Sequence, residues 1–353
     1  MDAAVRAARD PKGAGAARGS FLEMSLKTAK VSRIIKIVTS TNGGARGEVW
    51  KGFGEQSERT RTATQTMFDI SGYTINAKLA EGACAEIYAG VNRATGTLVA
   101  VKRLHPRHSA NKSEYKRLTE EGELGLRLGQ QDNIVQTYGV GRDGDFPFVV
   151  LEYVDGRSLR EILVERKKLS EIEVLNLAKG LARGLRFLHN AGVCHKDLKP
   201  DNIMITHDGV AKLLDFGFAE NIRSFRLFRR SLEGSLPYMA PEMFTTKRAT
   251  PATDIYALGC TLYECAAGFQ PFGGMSDNEI VSKQTNVKLA PPPAREANPG
   301  ISIYTEKMIL TALQKETAKR FKSADEVLLD LARNPALRNS RETQTTGTQL
   351  VVK

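Results

Sequence analysis

Long apolar runs are missing from this 353-residue chain. Nothing approaches eighteen consecutive apolar residues, so no membrane-crossing helix is expected. The first twenty residues, "MDAAVRAARDPKGAGAARGS", have no continuous apolar core, which argues against a secretory signal. Their Arg and Ala content weakly resembles a transit peptide, but Asp2 and Asp10 count against that. Cysteine is scarce too. Cys84, Cys194, Cys260 and Cys265 form no Cys-x-x-Cys pair and have few histidines near them, so a zinc site is not expected. Cys260 and Cys265 fall in an apolar, helix-like run and read as core residues. That pattern suits a reducing compartment, and a cytoplasmic location is expected. Acidic residues are in deficit: the net charge is +11, and residues 1–68 hold 12 Lys/Arg against 6 Asp/Glu. Such an arm could meet nucleic acid or an acidic membrane. Its charges are dispersed and its aromatics few, so a solvated, poorly ordered extension is the simpler reading, with no specific nucleic-acid partner.

What is present changes along the chain. Residues 31–38, "VSRIIKIV", could form one strand, and 55–66, "EQSERTRTATQT", read as a polar linker. From Phe68 onward, "YTINAKLAEG", "EIYAGVNRATGTLVAVKRL" and "FPFVVLEYV" are β-rich runs parted by turns such as Ala94-Thr95-Gly96. A helical stretch, "KSEYKRLTEEGELGLRLG", interrupts them. After Gly156 the pattern turns helical. Ser170 and Glu173 make a capping box, followed by Leu177, Leu181, Leu185 and Leu188 at helical spacing. Two more helices are predicted in "TDIYALGCTLYECAAG" and "SADEVLLDLARN". There is no internal repeat.

Residues 194–202, "CHKDLKPDN", form a dense polar cluster between an apolar helix and the pair Ile203-Met204. "DFG" follows at 215–217 after the strand-like "VAKLL". Upstream, "VAVK" places Lys102 at the end of a β run, and "APE" stands at 240–242. Each alone reads as a turn. In this order and spacing, over about residues 70–333, the chain resembles a eukaryotic-type serine/threonine protein kinase, and a soluble bacterial member in particular.

The resemblance implies an α+β, two-lobed fold. A small β-rich lobe with one helix would span 69–153 and a larger helical lobe 154–335. Residues 1–68 would be a basic extension and 336–353 a Thr-rich tail. It implies phosphoryl transfer from ATP with Mg2+, or Mn2+ in its place, to serine or threonine hydroxyls of protein substrates. Lys102 would bind phosphates, held by a helix carboxylate: Glu121 is the expected one, with Glu120, one residue away, as its rival. Asp215 would ligate metal with Asn202 as a second contact, since oxygen donors suit a hard ion. Asp197 would accept or orient the substrate proton and Lys199 would steady the transferring phosphate. For Lys199 and Asp201 the alternative is a surface ion pair. Leu79, Ala80, Gly82, Ala85, Ile87, Ala100, Leu151, Glu152 and Val154 would surround the nucleotide. Glu242 would pair with Arg320, and Asp254 would brace the catalytic loop from its helix.

One stretch imitates a phosphate loop. Residues 41–54, "TNGGARGEVWKGFG", are glycine-rich but lead into a polar linker with no lysine partner. The place about twenty residues before Lys102 is filled by "LAEGACAEIYAG", residues 79–90. That loop keeps only Gly82 of the family's three glycines; Ala80 and Ala85 take the other places, and Cys84 would sit at its tip. Lys196 stands where regulated members carry Arg, ahead of a basic segment with Arg223, Arg226, Arg229 and Arg230. The altered loop leaves a second function open, a catalytically weak kinase-fold scaffold. A small-molecule kinase is a third, opposed by "APE", Glu242 and Arg320. Thr62, Thr64, Thr66, Thr343, Thr345, Thr346 and Thr348 flank the domain and are candidate autophosphorylation sites for phosphothreonine-reading partners.

Overall fold

The computed structural model describes residues 67–82, 84–108, 111–215, 220–221, 236–246 and 248–338. The stretch 41–54, both Thr-rich flanks, Phe216, Gly217 and the basic segment 222–235 lie outside the described residues. The described residues fall into two compact units that divide between Val99 and Ala100.

The first unit holds three antiparallel strands in sequential order: β1 Phe68–Ile70, β2 Tyr73–Glu81 and β3 Ala85–Asn92. Alternation along β2 buries Ile75 and Ala77, whereas β3 buries the consecutive Tyr88, Ala89 and Gly90 and so is covered on both faces there. The β2–β3 register pairs Ala80 with Ile87 and Glu81 with Glu86. Gly82 N–H donates to the Ala85 carbonyl at 2.8 Å, closing the turn. Lys78 bridges Glu81 at 2.8 Å and Glu86 at 2.5 Å. Ala80 and Gly82 are exposed.

Strand β4 Leu98–Leu104 carries the chain into the second unit, where α1 Lys112–Leu128, β5 Thr137–Asp143 and β6 Phe146–Glu152 follow. The strands there lie in the order β4-β6-β5. Asn111 caps α1, its side chain accepting from Ser113 and Glu114 N–H. The helix carries two glycines that its propensity disfavours by about 1 kcal/mol each. Both are there for close approach. A Cβ at Gly122 would lie 2.5 Å from Val140 and 2.7 Å from Val149, and one at Gly125 would lie 2.0 Å from the Thr137 hydroxyl. The bare backbone lets α1 sit directly on β5 and β6, and that packing sets the height of Glu121.

Beyond Gly156 the chain is mainly helical: α2 Leu159–Arg166, α3 Glu171–Asn190, α4 Pro241–Thr245, α5 Pro251–Ala267, α6 Asp277–Thr285, α7 Ala294–Ala297, α8 Ile303–Ala312 and α9 Ala324–Arg333. The Ser170–Glu173 capping box opens α3. α5 is buried almost throughout, and its Ile255, Tyr256, Leu262 and Tyr263 join Leu175, Leu181, Leu185 and Leu188 of α3 in one core. Short strands that the helical pattern hides also occur here. β7 Gly156–Ser158, β9 Ile203–Thr206 and β10 Ala211–Leu213 form one sheet, and β8 Val193–Cys194 pairs with β11 Glu220–Asn221. Only the β10 segment reads as a strand in sequence. The others are two to four residues long, too short for a periodic signal, and exist through long-range pairs such as Arg157 with Ile205. Among the described residues no helix is long and apolar enough to cross a membrane.

Candidate active site

On β4, Val101 faces the core, which turns Ala100 and Lys102 to the opposite side of the strand. The Lys102 amine lies 2.6 Å from Glu121 of α1 and 3.0 Å from Asp215, just past β10. Glu120 points elsewhere and pairs with Lys116. Burial works against the Lys102 ammonium, yet Asp215 and Glu121 outweigh it and raise its pKa. Burial also pushes the Glu121 carboxyl up to about 7, with Lys102 pulling the other way. Asp215 has a left-handed backbone, φ 60°, which an L-residue adopts only under constraint.

The second group sits on the loop between β8 and β9. Asp197 is buried at 7% exposure. Its carboxylate receives the Lys199 amine at 2.8 Å and the Asn202 side-chain amide at 2.7 Å; that amide also donates to the Asp197 carbonyl at 2.8 Å. Lys199 and Asp201 are therefore not partners of each other: Asp201 pairs with Arg160 at 3.2 Å. The loop is pinned from α5. Asp254 accepts the His195 and Lys196 backbone N–H groups at 2.8 Å each and His189 Nε2 at 2.9 Å. Burial disfavours that carboxylate, but the His189 and backbone hydrogen bonds win and hold its pKa below the usual range. Lys196 has φ 69°, and the two adjacent N–H groups converging on one carboxylate fix that turn.

Residues 73–330 match the protein kinase domain family. The chain belongs to that family. Its fold is the α+β, two-lobed protein kinase fold. A relative in Clostridium acetobutylicum, named "Probable serine/threonine-protein kinase", is 32% identical over 261 residues, or 74% of this chain and 39% of its own length. "Probable serine/threonine-protein kinase PknB" of Corynebacterium glutamicum is 32% identical over 270 residues, 74% of this chain and 42% of its own. "Serine/threonine-protein kinase PknL" of Mycobacterium tuberculosis is 29% identical over 295 residues, 80% of this chain and 73% of its own. The chain thus spans about two fifths of the first two relatives.

The second unit holds further residues expected from the sequence. Arg320, buried at 3% exposure, makes a two-pronged pair with Glu242 at 2.8 and 3.1 Å. Leu151 and Val154 are half-buried and packed on the core. The Glu152 carboxylate is taken by Lys212 at 2.8 Å and by the Gln136 N–H at 3.2 Å, and the Glu152 N–H donates to the Gln136 carbonyl at 2.8 Å. Leu79, Ala80, Gly82, Ala85 and Ile87 belong to the β2–β3 hairpin of the first unit. Sequence reasoning missed His189 and Arg160. A histidine at the end of α3, six residues before His195, was the available signal for the first. Arg160 had none, because its partners Asp201, Tyr238 and Glu264 are 41, 78 and 104 residues away.

Proposed function

We propose that the protein is a serine/threonine protein kinase that transfers the γ-phosphoryl group of MgATP to protein hydroxyls. One observation carries the reading: Lys102 is held between Glu121 and Asp215, while Lys199 and Asn202 converge on Asp197. Phosphoryl transfer needs positioning and charge rather than covalent help. Lys102 supplies a fixed cation for phosphate oxygens, and Glu121 keeps it in place. Asp197, held by two donors, is oriented to accept the proton of a substrate hydroxyl. Lys199, on that same carboxylate, offsets charge on the phosphoryl group in transit.

The donor set fits a hard cation. Asp215 offers carboxylate oxygens, and Asn202 spends its amide N–H on Asp197, which leaves its carbonyl oxygen as a ligand atom. When bound there, magnesium supplies positive charge beside the phosphates. Lys199 within "DLKPDN" supports serine/threonine rather than tyrosine acceptors. The part of Leu79, Ala80, Gly82, Ala85, Ile87, Ala100, Leu151, Glu152 and Val154 in holding nucleotide rests on the family pattern. The same pattern assigns 69–153 and 154–335 to the two lobes, while the cysteine pattern favours a cytoplasmic setting and tethering to the site favours phosphorylation of the Thr-rich flanks. Ala80 and Ala85 favour a second reading, a weakly active scaffold that works by binding.

Purified chain incubated with labelled ATP and Mg2+ or Mn2+, with a generic basic protein as acceptor, is expected to place label on Ser and Thr. Label on tyrosine alone, or none with either metal, would overturn the proposal.

A further inference from the structure

Gln284, near the end of α6, is a polar side chain with 0% exposure. A buried amide is tolerated when its hydrogen bonds are met, and here both of its ends are engaged. The Tyr256 hydroxyl of α5 donates to Oε1. Nε2 donates to the Pro237 carbonyl at 2.7 Å and to the Leu236 carbonyl at 3.4 Å. Two carbonyls can accept only from the nitrogen, which sets the orientation of the amide. Its supports are themselves held. The Arg320 guanidinium lies 5.0 Å from the centre of the Tyr256 ring. On the other flank of α6, the Lys315 amine donates to the Lys283 carbonyl at 2.5 Å and the Asn286 carbonyl at 2.8 Å, and sits 4.0 Å over the Phe272 ring.

What the amide grips is a short turn. Leu236–Tyr238 is a single 3-10 turn just ahead of "APE", closed by the Met239 N–H on the Leu236 carbonyl at 3.1 Å. Leu236 and Tyr238 are buried, so Pro237 and Met239 are the parts that reach the surface. The turn borders the loop that carries Asp197. The Tyr238 hydroxyl accepts from Arg160 at 2.7 Å, and Arg160 donates to Asp201, which lies between Lys199 and Asn202. A protein substrate brings chain on both sides of its hydroxyl, and that chain must lie on the surface bordering this loop.

We infer that Gln284 is a positioning residue for protein substrates: its buried amide, braced on Tyr256, fixes the Leu236–Pro237 backbone and so the surface of Pro237 and Met239 on which a substrate chain is laid beside Asp197. The inference rests on the protein-kinase reading above. Gln284 touches none of Lys102, Glu121 and Asp215 through the bonds it makes. Its loss therefore acts on the peptide and leaves the nucleotide alone. A brace of stability alone would lower the amount of folded protein without shifting the KM for one substrate.

The test is steady-state kinetics of the full chain with ATP, Mg2+ and a Ser-containing peptide cut from the generic basic protein. Gln284→Met keeps the length of the side chain and removes its donor. The peptide KM is expected to rise about tenfold or more, the scale of leaving buried carbonyls unmet. kcat and the KM for ATP are expected to stay within about threefold. Tyr256→Phe, which keeps the ring and deletes the hydroxyl that braces Oε1, is expected to raise the peptide KM about threefold. Added to Gln284→Met it is expected to raise it no further, since both act through one amide. An unchanged peptide KM in Gln284→Met, or a KM for ATP that rises in step with it, would overturn the inference. If Gln284→Met does not fold, an unchanged peptide KM in Tyr256→Phe overturns it instead. Absence of phosphate transfer by the unaltered chain would count against the kinase reading. Fluorescence anisotropy of the labelled peptide then decides the role of Gln284, with weaker binding to the variants expected and equal binding, or none to the unaltered chain, overturning it.

Discussion

Glu121 and Asp254 are both buried carboxylates, at 7% and 0% exposure, one holding Lys102 and the other the loop that carries Asp197. Their acidities move in opposite directions. Burial pushes Glu121 up to about 7, whereas Asp254 stays below the usual carboxylate range. The difference lies in the donors. Asp254 accepts two backbone N–H groups and one histidine, all from elements packed rigidly against α5. Glu121 has the Lys102 amine, which it shares with a second carboxylate, Asp215. Burial alone therefore decides nothing; the count of committed hydrogen bonds does. Asp254 is a fixture of the loop that presents Asp197. Glu121 makes a contact whose ionised form burial disfavours.

That contrast can be broken most strongly at Asp254. Asp254→Asn replaces an acceptor of charge-assisted hydrogen bonds by an amide whose N–H groups face other donors. A loss of about 3 kcal/mol or more in stability is expected, since such bonds are worth roughly 1.5–3 kcal/mol each. Urea unfolding measures it. The sign with pH follows from the lowered pKa. The stability that Asp254 contributes is present above the ordinary carboxylate pKa, near 4, and is lost as pH falls through the lowered native value. The variant is expected to lack that acid-side component. Equal acid sensitivity in both proteins would contradict the assignment.

Glu121→Gln is expected to act the other way round. Activity falls by about 10²-fold, the scale of losing one electrostatic positioning contact, while stability changes little. Because the native pKa is raised, the folded form of the unaltered protein is favoured while Glu121 is protonated. That contribution is lost as pH rises from the ordinary Glu range toward about 7. The stability of the variant relative to the parent is therefore expected to increase over that interval. Unfolding curves at several pH values read it directly, and a decrease would reverse the account of the pair.

The smallest effect is expected in the β2–β3 hairpin. Ala80→Gly with Ala85→Gly leaves activity equal or tightens nucleotide binding by less than tenfold, closer backbone approach being offset by a floppier free loop. A loss above tenfold, about 1.4 kcal/mol, would show that the alanines shape the loop in their own way.

How far the sequence carried the reading differs between the same two carboxylates. The spacing of Lys102, Asp197, Asn202 and Asp215 was legible because each sits in a short run of distinctive residues. Glu121 was favoured over Glu120 without being fixed, since a one-residue slip turns a side chain about 100° around a helix and the packing of Gly122 and Gly125 on β5 and β6 sets the rotation. Asp254 was legible as a brace but its partner His189 was not, because that contact joins two helices 65 residues apart. The short strands β7, β8, β9 and β11 and the Arg160 contacts stayed hidden for the same reason. They exist only through distant partners.

The central claim is that Lys102, Glu121 and Asp215 form a site for a metal-bound nucleotide. Calorimetric titration with ATP, with magnesium and with chelator, on the unaltered chain and on Asp215→Asn tests it most directly. The unaltered chain is expected to bind ATP at least tenfold more tightly with magnesium, and Asp215→Asn to keep its fold and lose that difference. ATP affinity unaffected by magnesium, or a magnesium effect undiminished in Asp215→Asn, would contradict the account.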